Sequence, residues 1–278
     1  MLNETDEDAL AEVYNHGLEL EKKGDHDGAE REYRKLLEMD PSDPGGVSIR
    51  LAAMGRMAAP SKMPDAYVAT LFDQHADVFD DILVDQLGYC VPLLLRERIR
   101  KLGLGPFETL LDLGCGTGLT GIAFSDCAAR MTGVDLSERI VELAYDREVY
   151  EDLYIGEAVE FLQEFEEDDG TRPMYDFIAA TDVFPYLGEV RPIISAAADR
   201  LPKGRLFAFS TETLPDPAFA DSCFAVGPKN RFAHHLPHLL SELEHAGFQT
   251  LSREDITVRL EDGAPVPGHM IVSKKRDQ

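Results

Sequence analysis

No run of 18 apolar residues occurs in the 278-residue chain, so no membrane-spanning helix is expected. Basic residues are scarce. Only 27 Lys and Arg stand against 52 Asp and Glu, a formal net charge of −25. That balance supplies no basic footprint for nucleic acid and no positive face for an anionic membrane surface. Solubility is the plain consequence of such acidity. Cysteine is sparse as well: Cys90, Cys115, Cys127 and Cys223 form no CxxC pair. A chain of this size needs no disulfides, and a reducing cytoplasm is its expected home. The first residues, MLNETDEDALAEVY, are acidic and carry no apolar h-region, so no secretory signal is expected.

What is present centres on TLLDLGCGTGLTG, residues 109 to 121. Leu110, Leu111 and Leu113 make a short apolar run, Gly114, Gly116 and Gly118 follow, and a helical pattern begins. A strand, a glycine turn and a helix in that order open a nucleotide-binding α/β domain. Glycine lets the chain turn sharply and lets a ligand lie against the main chain. Asp112 lies inside the strand, where a carboxylate is costly unless it meets a partner such as a cationic amino group. A dinucleotide fingerprint wants its third glycine at position 119, which is Leu119. A second apolar strand, MTGVDLS, carries Asp135 at its tip, where an acid can accept bonds from two ribose hydroxyls. A purely structural glycine turn and an NAD-linked oxidoreductase site are the competing explanations, and Leu119 speaks against the second.

Together these residues resemble the class I S-adenosylmethionine-dependent methyltransferases. The resemblance implies a Rossmann-like, seven-stranded, mostly parallel sheet with helices on both faces. It also implies S-adenosylmethionine as cofactor. Asp112, Gly114, Cys115, Gly116 and Gly118 then hold its methionyl part, and Asp135 with Leu136 its ribose. Glu157 and Ala158, just past the third strand, meet the adenine. Cys115 reads as a small, snug side chain and not as a nucleophile.

The rest of the chain alternates strands and helices, the pattern of an α/β sheet. Residues 8 to 41 carry two helical patterns around the turn GDHDG, with Val13, Gly17 and Leu20 on one face of the first helix and Ala29, Tyr33 and Leu36 on one face of the second. They resemble one tetratricopeptide repeat, and residues 45 to 58 suit a further helix. A single repeat cannot bury its apolar face alone. It must pack on the enzyme body, on another subunit or on a protein partner. The expected division is therefore a helical segment 1–58 and a methyltransferase domain 59–278. Within the latter, 65–103 is a helical lid and lead-in, and 108–278 is the Rossmann-like core. In the lid, Tyr67, Phe72, His75 and Phe79 are candidates to fold over the cofactor, with Phe72 and Phe79 chosen as contacts; helical spacing also suits core positions. Strands are expected at 153 onward, at 174 to 182, at 205 to 213, at 255 to 260 and at 269 to 275, with a loop and then a helix across 222 to 247. LFDQHADVFDDILVDQLGY, LLDLGCGTGLTG, AATDVFPYLG and RFAHH resemble, more narrowly, predicted bacterial methyltransferases that carry tetratricopeptide repeats.

The apolar run of the fourth strand ends at Thr181 and Asp182, and the loop beyond it borders the reacting end of such a site. Thr181 is taken as a cofactor contact. Asp182, Tyr186 and His234 are the candidate catalytic groups, with His235 as a further base and Arg231 as a fork for a substrate carboxylate. No Asn-Pro-Pro-Tyr or Asp-Pro-Pro-Tyr motif follows the fourth strand, which argues against enzymes that methylate the amino groups of DNA bases and of glutamine. His234, His235 and His238 lack an acid or cysteine at ligand spacing, so no metal is expected. The expected function is in-line transfer of a methyl group to a small molecule, with a protein as the other acceptor to consider. The alternative is a cofactor-binding regulatory module that recruits a partner through residues 1–58. The sequence leaves the oligomeric state open.

Overall fold

The computed structural model describes residues 4–220, 222–227 and 229–277, and side chains from residue 8 onward. Three helices come first: α1 (Glu4–Lys22), α2 (His26–Met39) and α3 (Val47–Ala53). Asp25 caps α2 by accepting from the Gly28 amide, which supplies an acceptor to an otherwise unpaired first-turn donor. The Tyr33 ring lies where a side chain at Gly17 would stand, 2.5 Å from its nearest carbon. Only glycine lets α1 and α2 approach there. Ile49 of α3 is fully buried with Met63, Val68, Tyr186 and Phe232, so these helices are joined to the body of the chain through a shared core.

The segment expected to run on as one helical lid is broken in three. α4 (Asp65–His75) is followed by a single 3₁₀ turn at Ala76–Val78 and a π-helical turn at Asp81–Gln86. π-turns of this kind are rare and concentrate at functional sites. α5 (Val91–Lys101) then leads into β1 (Phe107–Leu113). The alternating part follows: α6 (Leu119–Phe124), β2 (Ala128–Asp135), α7 (Glu138–Tyr145), β3 (Asp152–Ile155), α8 (Ala158–Glu164), β4 (Phe177–Ala180), α9 (Arg191–Asp199) and β5 (Leu206–Glu212). After β5 come β6 (Phe224–Val226), β7 (Phe232–His234), α10 (Leu236–His245), β8 (Phe248–Glu261) and β9 (Ala264–Lys275).

The first five strands are parallel in the order β3-β2-β1-β4-β5. β9 runs antiparallel along the whole of β5, and β8 runs antiparallel along β9. These seven form the expected Rossmann-like sheet. The described residues add two more strands: β6 and β7 make a short hairpin, and β7 meets only the end of β5, at Glu212. The stretch had been expected as loop because each strand is three residues long and the turn between them carries Gly, Lys and Asn. The central parallel strands β4 and β5 are buried along their full lengths, and this matches their apolar runs. Phe184 stacks on Phe209 at 4.1 Å, and Phe207 and Phe248 continue that core under α9 and α10.

Two details of this frame position the site. β1 lies between β2 and β4, so the chain moves outward in opposite directions from it, and a crevice opens at the carboxyl ends of the strands. β8 carries a register irregularity between Thr257 and Arg259 that turns both Val258 and Arg259 inward.

Candidate active site

A cleft of about 900 Å³, part of it open to solvent, lies in that crevice. Its floor is the glycine turn. Gly114, Gly116 and Gly118 all have positive φ, at 64°, 54° and 95°. A Cβ on Gly114 would stand 2.5 Å from Val183 of the loop after β4, while one on Gly116 would face only Phe79 across the cleft, at 4.0 Å. Gly116 therefore leaves bare main chain toward the space. Cys115, Thr117, Leu119 and Thr120 complete this wall.

Asp135 closes one side. Its carboxylate accepts from the amides of Gly116 and Ser137, at 3.0 Å each. Burial raises its pKa above the ordinary carboxylate value. Leu136, Gly156, Glu157 and Ala158 extend this side. Glu157 caps α8 through the Glu160 amide at 2.8 Å, and its other oxygen lies 3.9 Å from Lys62 Nζ. Phe72, Phe79 and Leu83 of the lid segment cover the opposite side. The lid is pinned to the turn by Asp80, which accepts from Thr117 Oγ1 at 2.6 Å and pairs with Arg147. Asp73 accepts from the hydroxyl of Ser137.

The far end holds the loop after β4. The hydroxyls of Thr181 and Thr120 meet at 2.9 Å. Asp182 adopts φ +64°, a strained value that Asp tolerates better than most residues, and its amide is held by Ser210 Oγ at 2.9 Å. Arg259, with no exposed side-chain surface, reaches Asp182 at 3.5 Å, Glu261 at 2.7 Å and Glu212. Arg231 lies over the Tyr186 ring and within 4 Å of Asp182 and Glu212, too far for hydrogen bonds. Burial pushes the Tyr186 phenol up to about 12, so it stays protonated at neutral pH.

Phe72, Phe79, Gly114, Cys115, Gly116, Asp135, Leu136, Glu157, Ala158, Thr181, Asp182 and Tyr186 all line this one cleft. Three residues expected at the site do not. His234 is the last residue of β7, fully buried, with Nε2 bonded to the Leu187 carbonyl at 2.7 Å. Burial pushes it down to about 4, and as a neutral core group away from the cleft it cannot serve as the base. Gly118 faces Arg147, Val149 and Tyr150 behind the turn, so its glycine requirement comes from its φ and that close packing. Asp112 sits beneath the turn, wholly buried. Its Oδ2 accepts from Tyr150 at 2.6 Å, and its Oδ1 has no partner. Of the other candidates, His75 is exposed and bonded to its own helix, and Tyr67 packs over Gly46. His235 and His238 lie near Asp216 and Glu242. Among the described residues no three His, Cys, Asp or Glu side chains gather as a metal site.

Lys62, Tyr89, Tyr150, Glu212 and Arg259 were not foreseen. Each comes from a segment distant in sequence. Arg259 owes its inward direction to the irregularity in β8, which residue alternation does not reveal.

The profile of the family described as "Methyltransferase domain" matches residues 89–262, well over half of the chain. The chain belongs to this methyltransferase family. Its cofactor is S-adenosylmethionine. The ubiquinone biosynthesis O-methyltransferase of Hydrogenovibrio crunogenus is 28% identical over 108 residues, which cover 37% of this chain and 42% of that protein. The magnesium-protoporphyrin O-methyltransferase of Rhodobacter capsulatus is 27% identical over 148 residues, 50% of this chain and 61% of that one. The chain thus spans less than two thirds of the length of either relative. The magnesium protoporphyrin IX methyltransferase of Synechocystis PCC 6803, solved with bound S-adenosylhomocysteine, superposes with a TM-score of 0.57 at 14% identity, over 76% of this chain and 99% of that one. This likeness is one of fold.

The cleft fits such a cofactor on its own evidence. Gly116 offers bare main chain, Asp135 sits at a strand tip, and Asp112 Oδ1 is a buried acceptor lacking a donor. A cationic ligand above it would relieve the cost of that orphaned oxygen.

Proposed function

We propose that this chain transfers a methyl group to an oxygen nucleophile of a small, largely apolar molecule in the cytoplasm. The observation that carries this is the continuity of one cleft from the glycine turn and Asp135 to Asp182 and Tyr186. Gly114, Cys115 and Gly116 with Asp112 beneath them would hold the methionyl part. Asp135 and Leu136 would hold the ribose, Glu157 and Ala158 the adenine, and Thr181, Phe72 and Phe79 the remaining contacts. When bound, the cofactor supplies a methyl group already activated by the sulfonium charge, so the protein's task is alignment. Leu83, Tyr89, Pro92 and Val183 give the space beyond the turn an apolar lining suited to an aromatic or isoprenoid-like body. That the two curated relatives are named O-methyltransferases supports oxygen as the accepting atom.

Asp182 is the group we assign to take the acceptor's proton. It lies at the end of β4, beside the guanidinium groups of Arg231 and Arg259. Tyr186, protonated, orients the acceptor as a donor. The helices α1 to α3 act as a buttress for the cleft wall, since Ile49 shares a core with Tyr186 and Met63. The domain 59–278 carries the chemistry.

Incubation with methyl-labelled S-adenosylmethionine and a panel of phenols and carboxylic acids tests this. Label is expected in a small molecule. Asp182→Asn is expected to lower kcat by about 10²-fold, the lower end for a lost general base, with cofactor affinity unchanged. Label found in protein or nucleic acid with none in small molecules would contradict the proposal.

A further inference from the structure

Tyr150 lies in the loop between α7 and β3, and nothing in the glycine motif announces it. Its ring packs behind the turn. A Cβ on Gly121 would stand 2.7 Å from its Cζ and 2.9 Å from its hydroxyl, and one on Gly118 would stand 3.3 Å from its Cε2. The two glycines face this phenol and not the cleft. The hydroxyl does two things at once. It accepts from the Gly121 amide of α6, at 3.1 Å, and donates to Asp112 Oδ2 at 2.6 Å. Among the described residues, the opposite oxygen, Asp112 Oδ1, is the one buried carboxylate oxygen with no hydrogen-bond partner.

Resting on the cofactor site assigned above, we propose that Tyr150 is a positioning residue for the cofactor. It fixes Asp112 beneath the turn as a carboxylate, with one oxygen bonded and the other without a donor, so that its charge acts through the turn on the cationic end of the ligand. A phenol fits this task. It gives a strong bond to the charged carboxylate, and the Gly121 amide holds it in direction.

The groups facing Asp112 come from several elements: Tyr150 behind it, Thr120 on α6, Asp135 on β2, Cys115 in the turn, and Tyr89 ahead of α5. Burial is the largest influence and pushes Asp112 up to about 7; the Tyr150 bond pulls the other way, and Asp135 adds to the rise. The carboxylate is therefore poised to gain or lose its charge near neutral pH. A cation binds the charged form better, so affinity rises with pH through this window.

Calorimetric titration with S-adenosylhomocysteine between pH 6 and 9 tests the proposal. Wild type is expected to bind more tightly as pH rises, with a midpoint near 7. Tyr150→Phe removes the donor and moves the midpoint upward by about one unit, so affinity at pH 7 falls roughly fivefold while the two proteins converge near pH 9. Gly121→Ala pushes the phenol off Asp112 and gives the same displacement by a second route. Asp112→Asn is expected to bind without the step. The ligand's own titration is common to all four proteins and cancels in their ratios. A loss in both Tyr150→Phe and Gly121→Ala that is equal at every pH, or a step that survives in Asp112→Asn, would overturn the role given to Tyr150. Failure of every protein to bind S-adenosylhomocysteine at any pH would instead overturn the cofactor site itself.

Discussion

Arg259→Ala is expected to lower the unfolding free energy by about 3–5 kcal/mol, the range for removing one partner of a buried charge cluster. The side chain has no exposed surface and serves three acids: Asp182, Glu212 and Glu261. Without it, Arg231 is the remaining cation beside Asp182 and Glu212 among the described residues, and at 3.6 to 3.8 Å it is a looser partner. Glu212 is pushed up by burial and held down chiefly by Arg259, so the truncated protein would respond by protonating it. A second substitution, Glu212→Gln, removes one of the stranded charges and should recover part of the loss. Urea unfolding at pH 7.5 measures both. A change below about 1 kcal/mol would place Arg259 among exposed, screened pairs and contradict its burial. The consequence for function follows from geometry: Asp182 takes its direction from Arg259, so the variant should also lose turnover at temperatures where it remains folded.

Asp135→Ala is expected to weaken binding of S-adenosylmethionine by about 1–3 kcal/mol, roughly 5- to 150-fold, through loss of hydrogen bonds and stranded polar groups. The carboxylate is bonded to the Gly116 and Ser137 amides, so it shapes the turn as well as facing the cleft. The two contributions separate by comparison with Asp135→Asn. Asparagine keeps one acceptor oxygen for the turn but loses a charge and half of the acceptors, and it should fall between wild type and alanine. Calorimetry on folded variants decides; unchanged affinity in Asp135→Ala would remove this residue from the site.

The sequence made the parallel half of the fold legible because its physics is local. Unbroken apolar runs mark strands buried on both faces, and the glycines at 114 and 116 mark a turn that must bend sharply and leave its main chain bare. Asp135 could be placed for the same reason, as the last residue of a strand beside that turn. The histidine at 234 misled because a polar residue just before a helix looks like surface. In the structure a three-residue strand carries it inward, where the Leu187 carbonyl satisfies one ring nitrogen. Gly118 misled because φ and packing against Tyr150 ask for glycine as strongly as a ligand would. Tyr150 and Arg259 were out of reach for a different reason. Their roles depend on contacts across 38 and 47 or more positions, to Asp112, Glu212 and Asp182, and no local pattern encodes such pairings. The lid was legible as aromatic and helical. Its division into a helix, a 3₁₀ turn and a π-turn reflects the need to carry Phe72, Phe79 and Leu83 over one cleft while Asp80 stays tied to Thr117.

Calorimetric titration of the purified wild-type protein with S-adenosylmethionine, S-adenosylhomocysteine and NADH tests the central claim most directly. Binding of both sulfur compounds, with dissociation constants on the order of micromolar (about −8 kcal/mol), and none of NADH is the predicted result. Binding of NADH, or of neither sulfur compound, would contradict it.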